Sequence, residues 1–140
     1  MMIDPAHEQL LVERDLGVLA TLKRDGRPQL SSINFHYYPA ESMLRISVTD
    51  GRAKVLNARR DPRVSLHVAT ADGWNWVVAE GNAELSEIAA EPHDAAVEEL
   101  VVLYRDIRGD HPDWDDYRRA MVDDKRLVLR VRVDRTYASR

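Results

Sequence analysis

Several residue types and segments that would point to a function are missing from this chain of 140 residues. It has no cysteine, which excludes a disulfide framework and any thiolate metal site. No apolar run approaches the ~20 residues that cross a bilayer, so we expect no membrane partner. The segment Met1 to Leu16 lacks the basic start and continuous apolar stretch of a signal peptide. We therefore predict a cytoplasmic protein.

The usual catalytic motifs are missing as well. The five histidines show no metal-ligand spacing, and there is no His-Glu-x-x-His or paired-carboxylate loop, so we expect no metal. There is also no Gly-x-Ser-x-Gly elbow, phosphate loop or Gly-x-Gly-x-x-Gly motif, which argues against hydrolase, P-loop and Rossmann functions. This pattern points to a cofactor that brings its own chemistry, and it leaves the catalytic residues unknown.

Composition and charge are those of an ordinary globular protein, with 44% hydrophobic residues, 31% charged residues and a formal net charge of −4. The length predicts one domain over residues 1–140. An acidic balance argues against general nucleic-acid binding. Basic residues are nevertheless concentrated between residues 52 and 63, where there are five of them against the single acid Asp61.

Hydrophobic alternation predicts six β-strands, at residues 17–22, 28–38, 44–49, 64–69, 74–83 and 127–134. Helical spacing predicts short helices at residues 4–14, 51–60, 92–107 and 113–121. Asp25-Gly26 and Asp72-Gly73 are typical of hairpin turns. A flat sheet of this size would leave exposed edges, so we predict a mainly β, α+β fold: a closed or nearly closed antiparallel barrel with flanking helices.

The start of the helix predicted at residues 51–60 gives the strongest functional signal. It offers free backbone N–H groups and the positive end of a helix dipole, with Arg52 and Lys54 beside them. That combination suits a phosphate group. A solvated basic helix would have a similar composition, but the clustering at the helix start favours the phosphate.

Two other segments could border a planar cofactor. Gln29 and Ser31 place an amide and a hydroxyl on a strand just after a hairpin, where a heterocycle could receive hydrogen bonds. A solvent-facing polar stripe is the alternative. Trp74 and Trp76 could wall a cofactor or a dimer interface, although aromatic residues on one strand face often serve as core or interface alone.

The combination of these segments resembles a known family. The matching motifs are Gly17-Val18-Leu19-Ala20-Thr21, Asp25-Gly26-Arg27-Pro28-Gln29-Leu30-Ser31, Arg52-Ala53-Lys54 with Asn57, Arg60-Asp61-Pro62-Arg63 and Asp72-Gly73-Trp74. With them the chain is similar to the pyridoxamine 5'-phosphate oxidase-like split barrels, which bind FMN or the deazaflavin coenzyme F420. The later segment Leu103-Tyr104-Arg105, followed by His111-Pro112-Asp113-Trp114-Asp115-Asp116-Tyr117-Arg118, resembles the actinobacterial branch of F420-dependent reductases.

The resemblance implies a six-stranded split β-barrel of the FMN-binding type. It also implies a homodimer with the cofactor in a groove at the interface. Arg52, Ala53 and Lys54 would then hold the phosphate, and the segment from Gln29 to Ser31 would border the ring. The full set of implied cofactor-binding residues is Gln29, Leu30, Ser31, Thr49, Arg52, Ala53, Lys54, Asn57, Trp74 and Trp76.

The activity that the resemblance implies is hydride transfer from reduced F420 to a small electron-poor acceptor, such as a quinone, an enone or a tetrapyrrole. Two alternatives stay open. One is an FMN-dependent oxidoreductase similar to pyridoxamine 5'-phosphate oxidase, because FMN and F420 share a phosphate and a tricyclic ring. The other is a non-catalytic carrier of F420 or flavin.

Overall fold

A computed structural model describes residues 3–140, and this part of the chain contains seven β-strands and four α-helices. The strands are β1 (Leu16–Leu22), β2 (Pro28–Asn34), β3 (His36–Tyr38), β4 (Met43–Thr49), β5 (Arg63–Ala69), β6 (Trp76–Leu85) and β7 (Arg126–Ala138). The helices are α1 (Pro5–Glu13), α2 (Ala53–Arg60), α3 (Ala95–Arg108) and α4 (Trp114–Asp123). Within these residues no helix is long and apolar enough to cross a membrane.

All strands pair antiparallel in one sheet, in the order β2-β1-β5-β6-β7-β4-β3. The predicted mainly β barrel fold is confirmed, but the predicted count of six strands is wrong. The segment predicted as one strand at 28–38 breaks at Phe35, whose N–H donates to the Asp15 carbonyl at 2.9 Å. Before the break β2 pairs with β1, and after it β3 pairs with β4.

The break at Phe35 explains why the sheet curls. β2 and β3 are one residue apart in sequence but occupy opposite edges of the seven-stranded sheet. One continuous piece of chain can reach both edges only if those edges approach each other. The Phe35 side chain is fully buried at this corner, which holds the sheet in its curled shape.

Alternate side chains of the strands fill the barrel interior. On β4 and β5 the buried residues include those that the alternation selects, Leu44, Ile46, Val48, Val64, Leu66 and Val68. Burial of each such side chain contributes roughly 1.5–3 kcal/mol. Helix α1 adds the fully buried Leu11 to the same core.

Residues 86–125 leave the sheet between β6 and β7 and carry α3 and α4. Each helix begins after an aspartate that accepts a hydrogen bond from its first turn: Asp94 from the Val97 N–H at 2.9 Å, and Asp113 from the Asp116 N–H at 3.1 Å. The Tyr117 hydroxyl joins the helices by donating to the Leu100 carbonyl at 3.0 Å. The two helices share a second core with Val128 of β7.

A charged network fixes α3 to the sheet. Arg45 of β4 and Arg130 of β7 are direct neighbours in the strand register. The carboxylate of Glu99 lies between them, at 3.1 Å from Arg45 Nε and 2.7 Å from Arg130 Nε. Burial alone would raise the pKa of Glu99, but the hydrogen bonds and charges of Arg130 and Arg45 hold it below its usual value.

We expect Glu99→Gln to destabilise the fold at neutral pH, because it leaves two adjacent arginines without their shared counter-charge. The Glu99 side chain is 20% exposed, so the expected cost is about 1–3 kcal/mol, less than for a fully buried pair. Since the pKa of Glu99 is lowered in the folded state, its stabilisation is complete above a pH of about 4.5 and disappears as the pH falls through the folded-state value.

Urea unfolding of wild type and Glu99→Gln at pH 7 and at pH 3 checks this expectation. The stability difference should shrink strongly at the lower pH. The control is Glu91→Gln, which removes an exposed carboxylate just before α3 and should change little at either pH. A difference that persists at pH 3 would contradict an electrostatic role for Glu99.

Candidate anion-binding site

A cavity of about 440 Å³ lies where β2, the end of β4, α2 and the end of α3 meet. Four cationic side chains line it: Arg52, Lys54, Arg108 and Arg126. Hydroxyl groups of Ser32, Ser47 and Thr49 add further polar lining. No carboxylate of the described residues does so. The cavity is therefore strongly positive inside an acidic protein.

The turn between β4 and α2 places the first two cations. Gly51 takes φ +85°, a left-handed conformation that glycine tolerates, and Arg52 precedes the helix in an extended conformation. The helical hydrogen bonds begin with the N–H groups of Val55 and Leu56, both of which donate to the Arg52 carbonyl. The N–H groups of Ala53 and Lys54 thus precede the helical ladder, at the positive end of the helix dipole.

The charge of the cavity affects Lys54 directly. Burial lowers the pKa of the Lys54 ammonium group, and the like charges of Arg52 and Arg126 lower it further. An anion between these groups would favour the charged form and reverse the shift. The site is thus electrostatically prepared for a negative ligand.

The structure brings only part of the predicted set of residues into this cavity. Three of the residues predicted to bind a cofactor, Thr49, Arg52 and Lys54, line it, and Ala53 lies at the first turn of α2. On β2, however, the lining residues are Ser32, Ile33 and Asn34. The assignment of roles to individual residues remains a prediction.

The strand period explains the offset on β2. Gln29 and Ser31 share a face with the buried Ile33, whereas Leu30 shares the opposite face with Ser32 and Asn34. Leu30 is 64% exposed and continues the row that begins in the cavity. Of the residues predicted to border the ring, Gln29 to Ser31, only Leu30 lies on the same strand face as the cavity residues Ser32 and Asn34.

Asn57 does not line the cavity, and its hydrogen bonds are to neighbouring parts of the fold. Its amide group is buried and donates to the Thr21 hydroxyl of β1 at 3.1 Å. Its side-chain oxygen accepts a hydrogen bond from Arg60, also at 3.1 Å. Asn57 thus fixes α2 against β1, which in turn positions Arg52 and Lys54.

The two tryptophans lie away from the cavity. Trp74 is in the turn before β6, not in the strand as predicted, because Asp72 accepts its N–H and closes the turn. Its side chain is 81% exposed. Trp76 stacks on His67 with ring centroids 5.8 Å apart and meets Tyr137 edge-on at 6.0 Å.

Two of the four cations were not among the residues predicted from the sequence. Arg108 is the last residue of α3 and donates to the Asn34 side chain at 3.3 Å. Arg126 begins β7 and donates to the Ser47 hydroxyl at 3.4 Å, while its Nε is buried without a hydrogen-bond partner. Arg126 could have been predicted only from the pairing of β4 with β7, because Arg126 lies directly opposite Thr49 in that pair.

These donors fit an anionic group of the phosphate type. Residues with guanidinium, ammonium and hydroxyl groups line one cavity, and the buried Nε of one of them, Arg126, has no hydrogen-bond partner. The sequence profile of the pyridoxamine 5'-phosphate oxidase family matches residues 3–140. The chain belongs to this family. The resemblance predicted from the motifs is thereby confirmed.

Several known proteins are similar to this chain over nearly its whole length. An F420H(2)-dependent biliverdin reductase of Mycobacterium tuberculosis is 29% identical over 129 residues, which are 92% of this chain and 82% of the relative. The solved structure of an F420 reductase is 25% identical with a TM-score of 0.71, covering 96% of this chain and 98% of the other. A conserved hypothetical protein of Mycobacterium tuberculosis is 26% identical with a TM-score of 0.72, covering 99% and 86%.

We expect Asn57→Ala to lower stability by about 1–3 kcal/mol, because it leaves the buried Thr21 hydroxyl without its partner. Replacing both groups, as in Asn57→Ala with Thr21→Val, should cost less than the sum of the single changes. Denaturant unfolding of the two single variants and the double variant measures this coupling. Unchanged stability combined with a loss of cofactor affinity would instead make Asn57 a cofactor ligand.

Proposed function

We propose that this chain is a cytoplasmic F420H2-dependent oxidoreductase that transfers a hydride to a small electron-poor acceptor of the quinone, enone or tetrapyrrole class. The observation that carries the proposal is the carboxylate-free cationic cavity at the start of α2. It is supported by the similarity to an F420H(2)-dependent biliverdin reductase and to an F420 reductase.

In this proposal, Arg52 and Lys54 hold the cofactor phosphate by charge, while the backbone N–H groups of the first turn of α2 and the Thr49 hydroxyl supply directed hydrogen bonds. When bound, the reduced deazaflavin supplies the hydride. The protein would orient the cofactor by fixing its phosphate end. The row from Ser32 to Leu30 then guides the ring along β2.

A second copy of the chain completes the site in this proposal. The sheet face that carries Ala20, Leu30 and His67, called here the outer face, has a groove of about 660 Å³ lined in part by Ala20, Leu22 and Pro28. Charges of both signs lie beside these apolar residues, as a self-complementary interface requires. Trp76 and Tyr137 extend the same face and would approach the cofactor of the partner.

An FMN-dependent oxidoreductase is the second candidate, favoured by the description of the family as pyridoxamine 5'-phosphate oxidases. Its phosphate would use the same cations. Equilibrium binding of F420 and of FMN to the apo-protein, measured side by side, distinguishes the two candidates. Preference for FMN would reject the F420 proposal, and tight F420 binding without oxidation of F420H2 by quinones, enones or biliverdin would favour a carrier.

We expect Lys54→Met to weaken the binding of the preferred cofactor by about tenfold to a hundredfold, because it removes a charge-assisted phosphate contact. Fluorescence titration of F420, or absorbance titration of FMN, measures the loss. The control is Arg119→Met, which removes one positive charge from an exposed position on α4 outside the cavity. Equal affinity of Lys54→Met and wild type would reject the phosphate assignment.

The dimer makes a separate prediction. Sedimentation should show a species of about twice the chain mass of 16.0 kDa. Ala20→Arg, in the outer-face groove, should give a folded monomer that has lost most of its cofactor affinity. The control is Val102→Arg on α3, at a site that is 49% exposed and away from this face, and it should remain dimeric. A wild-type monomer at micromolar concentration would contradict a shared site.

A further inference from the structure

Arg126 has an unusual position for a cation. It is the first residue of β7, and it lines the cavity together with Ser47 and Lys54, with no carboxylate among the lining residues. The only hydrogen bond that its described side chain makes is the long 3.4 Å contact to the Ser47 hydroxyl. Its Nε is buried and has no partner. A buried N–H donor without a partner costs stability.

The backbone holds Arg126 in this position from both sides. The carbonyl of Arg126 accepts the Ala89 N–H at 2.8 Å. The preceding residue, Lys125, takes φ +53°, a left-handed conformation that is uncommon outside glycine, and its carbonyl accepts the Asp50 N–H at 2.9 Å. Such conformations persist where the surrounding structure imposes them, often at functional sites. The turn therefore places the Arg126 side chain opposite the end of β4.

A second arginine on the same strand shows what a structural role looks like. Arg130 has the Glu99 carboxylate at 2.7 Å and the Glu84 carboxylate at 2.9 Å. Carboxylates are thus available along β7, and Arg130 is paired with them. Arg126 instead lines the cavity with no carboxylate among the lining residues. Burial, the charge of Arg52 and the charge of Arg126 together lower the pKa of the Lys54 ammonium group.

We propose that Arg126 is an anion-binding residue of this cavity, whose guanidinium group binds the phosphate ester together with Arg52 and Lys54. The inference rests on the proposed function and adds a ligand from a distant part of the chain. The planar guanidinium provides two parallel donors, which suits a phosphate better than the single ammonium point charge of Lys54.

This role makes a prediction that a structural role would not. Removing a structural arginine lowers stability, whereas removing Arg126 relieves its repulsion with Lys54. We therefore expect the apo-form of Arg126→Met to unfold at the same temperature as wild type or a higher one. Cofactor affinity should nevertheless fall about tenfold to a hundredfold.

The experiment compares wild type, Arg126→Met, Arg126→Lys and the control Arg119→Met. For each protein, the thermal midpoint is measured with and without inorganic phosphate, and affinities are measured for FMN and F420. We expect phosphate to raise the midpoint of wild type and of the control, but not that of Arg126→Met. Arg126→Lys should recover part of the binding, because it restores the charge without the paired donors.

Three results would overturn the proposal. The first is that Arg126→Met binds phosphate, FMN and F420 within about twofold of wild type, and the second is that wild type binds none of them. The third is that Arg126→Met unfolds at a lower temperature than wild type and that Arg126→Lys does not recover the lost binding. Failure of the proposed function gives a different result. If F420 does not bind, but FMN or phosphate binding depends on Arg126, the F420 proposal fails and the inference about Arg126 stands.

Discussion

Closure of the sheet at Phe35 is the constraint on which the rest of the structure depends. Because one continuous segment supplies both edges, β2 approaches β4, although several strands separate them in the sheet order. The cavity lies between these strands and takes its hydroxyl groups from both of them. An open, flat sheet with the same pairings would leave Ser32 and Thr49 far apart. The fold thus produces the site by its curvature, before any individual side chain contributes.

The cations of the protein fall into two groups with different physical meaning. Arg45 and Arg130 share the Glu99 carboxylate, so their charges are balanced within the fold. Arg52, Lys54 and Arg126 line one cavity with no carboxylate, and burial together with the like charges of Arg52 and Arg126 lowers the pKa of Lys54. A fold selected for stability alone would pair or disperse these charges. Their concentration is what a site for an anionic ligand requires, at the expense of the unliganded state.

The sequence predicted the parts of the fold that depend on local patterns. Alternation located the buried faces of β4 and β5, and the motif around Arg52 located the start of α2. The break at Phe35 escaped prediction because only strand pairing distinguishes one long strand from two short ones. The face of Ser32 and the approach of Arg126 to Thr49 depend on register across the sheet, which has no signature within either segment. Local pattern thus indicates which residues are chemically suited to a site, whereas the pairing decides which of them meet.

Residues 86–125 connect β6 to β7, and these two strands are direct neighbours in the sheet, with Leu85 opposite Leu129. In effect this segment is a long insertion at the end of a β-hairpin. Its length and composition can change without altering the pairing of any other strand, yet its helix end contributes Ile107 and Arg108 to the cavity wall. After a gene duplication, changes in this insertion could alter the ligand preference of one copy. The barrel, its core and the start of α2 would stay unchanged.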